Sequence, residues 1–454
     1  MLDSEYIFLL LPIGAAFTVA AVYASMRVAR GRPWAVMFLV FITIFLLDSI
    51  FRARAYSDKS IDIQIILKAG SWGLIFLFSL MHLHRYATVF FRPPHLLWLL
   101  FFCWMLATTP NSPNPVYTAM AVFSVVALYF AFLALHADYD REMVLAVVLA
   151  SCLFVVVLSL FAYVAIPSLG RLEEWQGEAH IQSNRLSGIT GTPNGIGLIS
   201  AWCALLIAVH WQELRRYLPG SVLLFGGMAA LLALALSQSR TSMGILLFLT
   251  GITFTFRRRY TPYLLVGGAI VVTIIALLAI NDSDHLFRLL SRSGSLVELE
   301  TGTGRAQIWS LVIKLAQSSF WTGRGYASTV FILPDYTDYT GHAPPHAHNM
   351  WLQIWLTTGM IGVIIFSLAF VSQTIEAIRD KDGLSLTFLS FILLDGITES
   401  SAFTGVAHMS TVILLIAAAR SIGRTQVISS RVILQQPGGR PRTWQISTEP
   451  ARRF

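Results

Sequence analysis

His342, His346 and His348 crowd the segment His342-Ala343-Pro344-Pro345-His346-Ala347-His348-Asn349, directly ahead of an apolar run from Met350 to Ser372. Imidazole is the side chain whose ordinary pKa suits proton transfer near neutral pH. A histidine at the start of a helix is kept neutral and basic by the helix dipole, although a nearby phosphate would act the other way. The competing reading of His348 is a plain helix cap. Three histidines also suggest a metal, but Pro344 and Pro345 stiffen the segment and no Cys or Glu close in sequence completes a ligand set, so no metal is expected. Four arginines carry small or hydroxyl-bearing neighbours: Arg185 in Ser183-Asn184-Arg185-Leu186-Ser187-Gly188, Arg240 in Ser237-Gln238-Ser239-Arg240-Thr241-Ser242, Arg305 after Thr301-Gly302-Thr303-Gly304, and Arg324 between Gly323 and Gly325. For any one of them alone, snorkelling or capping a helix at the interface is the better explanation. Together they suggest a cradle for phosphate, with fork-shaped donors beside residues small enough to admit an anion. Asp48, Asp395 and Glu399 lie in or at the ends of apolar runs, where a functional role and a helix-end role weigh about equally.

These groups must be held by membrane helices. The chain is 56% hydrophobic and 12% charged, too little charge for a soluble protein of 454 residues. Apolar stretches fall near 6–26, 34–51, 63–83, 95–109, 115–136, 142–166, 193–212, 219–236, 241–256, 262–280, 349–373, 384–398 and 402–420. Most approach the length that crosses a hydrocarbon core of ~30 Å. The fold expected is an all-α polytopic membrane protein. The first stretch reads as a span rather than a removable signal. Short loops rich in Arg and Lys (27–32, 85–92, 215–216, 257–259, 379–381 and the tail) fall on one side, expected to be cytoplasmic. Loop 52–62 is the exception. The other side carries loop 167–192 and the long segment 281–348, in which Arg305 to Ser319 has Ile308, Leu311, Val312 and Leu315 at helical spacing. Cys103, Cys152 and Cys203 lie inside apolar runs and are expected to be small buried hydrophobes. The basic tail bears on membrane orientation, not on nucleic acid, and no nucleic-acid partner is expected.

His348-Asn349, nine further residues, then Gly359-Met360-Ile361-Gly362 resembles the signature of bacterial O-antigen ligases, His followed by Asn, Ser or Gln, then x9-Gly-x-x-Gly. Ser239-Arg240-Thr241 and Gly304-Arg305 followed by Trp309 resemble the wider superfamily of ligases and polymerases. The likeness runs from Arg185 to Gly362 and includes the single large late loop. It implies about 12 transmembrane helices in a class C glycosyltransferase architecture, with a ligase domain over 1–424 and a basic cytoplasmic tail over 425–454. It implies transfer of a polysaccharide from undecaprenyl diphosphate to the lipid A core, on the periplasmic face of the bacterial inner membrane, by inverting glycosyl transfer without metal or cofactor. On that reading His348 is the catalytic base, and Arg240, Arg305 and Arg185 bind the diphosphate. Asn349, His346 and Arg324 support them, and Gly359 and Gly362 pack helices. A monomer or weak homo-oligomer is expected among membrane lipids. The alternatives are an O-antigen polymerase, a protein-targeted oligosaccharyltransferase of the same superfamily, and a lipid-glycan transporter, which would place its polar groups at the midplane.

Overall fold

The computed structural model describes residues 33–50, 62–176, 181–256, 305–340, 344–400 and 402–420. The expected spans 6–26 and 262–280, residues 281–304 of the long loop, His342 and the tail 425–454 lie outside the described residues. The main helices are α1 (Pro33–Asp48), α2 (Ile63–Met81), α3 (Pro93–Ala107), α4 (Pro115–Asp138), α5 (Arg141–Ala165), α6 (Pro193–Leu214), α7 (Gly220–Ser237), α8 (Arg240–Phe256), α9 (Arg305–Gln317), α10 (Met350–Arg379), α11 (Gly383–Thr398) and α12 (Met409–Ala419). Their starts are written locally. Asp62, Asn114, Asp140, Thr192, Asn349 and Asp382 each cap a helix by accepting a backbone N–H from its first turn, and Pro115 and Pro193 occupy the first helical position. Among the described helices, six are long and apolar enough to cross a membrane, or seven if the bent pair 83–91 and 93–111 is one span. The protein is thus a polytopic α-helical membrane protein. Its one sheet among the described residues is a hairpin in loop 167–192, β1 (Arg171–Gln176) antiparallel to β2 (Ile181–Leu186), with Leu172 opposite Arg185.

Every residue of α12 is buried, which makes it the central post of the bundle. It starts at Met409 and not near 402, because Phe403 takes a positive φ of 65° and residues 402–408 form a turn instead. Trp98 and Phe101 of α3, Phe366 of α10 and Phe403 pack ring to ring around that turn, with centroids 5.3–6.3 Å apart. Of the cysteines, Cys152 and Cys203 are buried as expected, while Cys103 is exposed on α3. An apolar thiol facing lipid costs no more than one in the core.

Two features hold the site face. The amphipathic helix α9 buries Ile308, Leu311, Val312, Leu315 and Ala316 against Ile332, Leu333, Ala347 and Leu356, a small core of its own over the start of α10. The second feature is a break in α10. Gly359 adopts φ 71° and ψ −177°, and the hydrogen bonds the helix loses there are made by neighbours. Trp104 Nε1 donates to Thr358 O at 2.8 Å, Met360 N to Phe320 O at 2.8 Å, and Arg324 N to Leu356 O at 2.9 Å. At a membrane depth where water is scarce, such replacement is what lets a helix break. Gly359 therefore admits a loop backbone and not the neighbouring helix expected from the glycine spacing: a Cβ there would lie 2.1 Å from Trp321 O. At Gly362 a built Cβ would first run into the Thr358 side chain one turn back in α10, with Trp104 Cδ1 of α3 at 3.3 Å.

Candidate functional site

Glu399, just past the end of α11, is the hub of a polar cluster at one end of the bundle. Its Oε1 accepts from Arg305 and, at 2.8 Å, from Asn194 Nδ2; its Oε2 lies 3.0 Å from His348 Nδ1. Four elements supply these groups. Arg305 opens α9, Asn194 lies in the first turn of α6, His348 precedes α10 and Glu399 follows α11. Asn349 fixes the alignment of the last two: its side chain caps α10 at Leu352 N (3.0 Å) and donates to Ile397 O (2.9 Å), while its own N–H reaches Ser400 Oγ (3.3 Å). Trp309 Nε1 adds a bond from α9 to His348 O at 3.3 Å. Fully buried Gln353 accepts from Ala347 N at 3.0 Å and donates to Thr329 Oγ1 at 2.9 Å, locking the turn from below. His348 itself is held at φ 50°, a left-handed conformation costly for a β-carbon-bearing residue and characteristic of sites whose surroundings over-determine them.

Burial alone would raise the Glu399 carboxyl, but the His348 hydrogen bond and the charges of His348 and Arg305 outweigh it and hold the group below the usual carboxylate range. An ionised carboxylate only accepts, so His348 Nδ1 carries the proton donated to it. In the neutral form of the ring, Nε2 then carries the lone pair that a base needs. His346 lies beside it, ring centroids 4.2 Å apart. Desolvation first, and the neighbouring His348 second, push the His346 imidazole down to about 3, so it is neutral at ordinary pH. His346, His348 and Glu399 also form a set that could hold a metal ion. The carboxylate that no nearby residue supplied comes from 51 positions downstream.

The arginines do not all converge. Arg305 meets the cluster directly. Arg185 is 3% exposed, donates through Nε to Ser237 O at 3.0 Å and through Nη2 to Asn194 Oδ1 at 3.4 Å, and so braces Asn194 from behind. Arg240 begins α8 at the same end; its neighbour Thr241 meets Thr398, the residue before Glu399, at 3.1 Å. Arg324 stands apart. Its Nη2 donates to Ser318 Oγ at 2.8 Å, and it lines a cavity of about 400 Å³ with Asn111, Ser319 and Thr322, two turns down α10 from His348, on the order of 10 Å along the axis. Sequence reasoning missed Asn194 altogether. It weighed Glu399 but left it out of the site, because the signal for both lies in contacts across the fold.

The fold and the cluster together define a multi-pass helical membrane protein with a His–Glu–Arg site at one end of its bundle. Residues 223–367 match the family model described as O-antigen ligase. Over those residues, about a third of the chain, the protein is similar to that family. No curated protein matches the chain significantly.

Proposed function

We propose that the protein is an O-antigen ligase: a glycosyltransferase that moves a polysaccharide from undecaprenyl diphosphate to the lipid A core, working at the periplasmic face of the inner membrane. The observation that carries the reading is the His348–Glu399 pair, 3.0 Å apart and joined by Arg305, at the point where the family motif begins.

In this reaction the acceptor hydroxyl gives its proton to His348 Nε2 and its oxygen attacks the anomeric carbon. The bond to the diphosphate breaks on the opposite face, inverting the configuration. Glu399 holds the base in the required tautomer and stabilises the imidazolium once formed. The guanidinium of Arg305 has five N–H donors, so it can keep Glu399 while offering others to the departing diphosphate. Arg240, at the start of α8, supplies the second positive charge. Arg185 acts through Asn194, and Asn349 sets the position of His348. Loss of a donor to a developing anion costs roughly 3–4 kcal/mol, a hundred- to a thousandfold in rate. Arg305→Ala and Arg240→Ala are each expected to fall in that range, and His348→Ala to abolish transfer.

The test is transfer by purified protein from a polyprenyl-diphosphate-linked glycan to core–lipid A, wild type against His348→Ala. Product from the wild type alone supports the reading. Lengthening of the carrier-linked glycan with no core product would make the protein a polymerase instead. No turnover of donor would point to a transporter.

A further inference from the structure

The groups that hold the proton at His348 are also arranged to take a metal in its place. One ligand atom from each of His346, His348 and Glu399 lies within 4.8 Å of the other two. His348 Nδ1 and Glu399 Oε2 are 3.0 Å apart. Two ligands at ~2.0 Å from a tetrahedral Zn²⁺ sit roughly 3.3 Å from each other. The His348–Glu399 edge is close to that spacing, and His346 offers the third corner, its ligand atom within 4.8 Å of the other two. The backbone carrying both histidines is tied down by Gln353, Trp309 and Asn349. Two imidazoles and one carboxylate, with a fourth position left open, make the donor set of a late first-row divalent ion.

We propose that His346, His348 and Glu399 form an inhibitory Zn²⁺ site superimposed on the transfer site. The metal bonds to Nδ1 of His348, and the proton that Nδ1 donated to Glu399 moves to Nε2 of the same ring. The ring stays neutral and releases no proton. Nε2, now an N–H, has lost the lone pair that accepts the acceptor's proton. Arg305 competes with the metal for the Glu399 carboxylate, so the guanidinium sets how tightly the ion is held. The inhibitory half of this proposal rests on His348 being the base; the binding half does not.

The experiment is calorimetric titration of the full-length protein, stripped with EDTA, with ZnCl₂, alongside the transfer assay. One equivalent of Zn²⁺ should bind to the wild type. The affinity should fall by more than about tenfold in His346→Ala and in Glu399→Gln. It should rise in Arg305→Ala, the opposite sign to that expected from general damage. Wild-type transfer should stop in proportion to occupancy and return with EDTA. Unchanged affinity in folded His346→Ala overturns the site. Because that variant keeps the His348–Glu399 pair, its result does not depend on Glu399→Gln folding. Zinc bound at these residues with transfer undiminished would leave the site standing and overturn His348 as the base.

Discussion

Glu399 is the residue whose removal should be most telling. Glutamine has its shape but presents an N–H₂ where a carboxylate oxygen accepted, so His348 is driven towards the tautomer with its proton on Nε2. Glu399→Gln is expected to lower transfer by on the order of 10²–10⁴-fold with the protein still folded, measured as initial rate per folded molecule. Glu399→Asp, which keeps the charge at shorter reach, should recover part of that loss. Acid should act on the same cluster. His346 is pushed from an ordinary 6.5 to about 3, and Glu399 lies below its ordinary 4.5. Both folded values are depressed, so in each case the unfolded chain binds the proton first. The stability each contributes is complete above its ordinary value and is lost as pH falls towards the folded one. The unfolding temperature should therefore hold steady above about pH 7 and decline as pH drops through 6 to 4. His346→Gln, which has no proton to take up, should flatten the upper part of that decline. His348 was recognisable from the sequence by its place before a long apolar run. Glu399 was not, because nothing near it in the chain distinguishes it from Asp48 or Asp395.

The break in α10 shows why two glycines of one motif need not do the same thing. At Gly359 the backbone has a positive φ and the Trp321 carbonyl occupies the place of a side chain, whereas Gly362 keeps helical geometry, with the Thr358 side chain and then Trp104 nearest. Gly359→Ala is expected to destabilise the protein by at least ~2 kcal/mol, since the left-handed backbone alone costs 1–3 kcal/mol before the clash is counted. Gly73 in α2 provides the contrast. Nothing lies within 4 Å of a Cβ built there, and Gly73→Ala should be neutral or stabilising by up to about 1 kcal/mol. Thermal unfolding in detergent separates the two outcomes. The spacing of the motif marked both glycines. Which one bends the helix depends on the loop 320–324 that supplies the replacement hydrogen bonds.

Among the described residues, ion pairs lie at both ends of the bundle. The end opposite the site is stitched by Arg420, which reaches Asp382 at 3.1 Å and Glu142 at 3.2 Å, and by Arg85 with Asp138. Arg420 is 6% exposed, so Arg420→Ala takes a buried cation from two acids, leaving Glu142 to His210 and Asp382 to Ser385. We expect a loss of about 3–5 kcal/mol in stability, read as a lower unfolding temperature, with the transfer rate of the folded fraction unchanged because the network lies far from His348. Between the two ends the outward faces of the spans are apolar, as with Phe225 at 65% and Leu247 at 74% exposed, where lipid covers them. The sequence by itself determined what is local: the apolar runs, the Asx and Thr caps that start them, the stripe of α9 and the placement of His348 and Asn349 at a helix start. Each of these depends on residues within a few positions of one another, where length, periodicity and capping chemistry act directly. Only the tertiary structure decided the site. Glu399 meets His348 across 51 residues, Arg305 across 94 and Asn194 across 205, separations at which no spacing survives in the chain. The packing of α6, α9, α10 and α11 at one end of the bundle brings them to a single carboxylate.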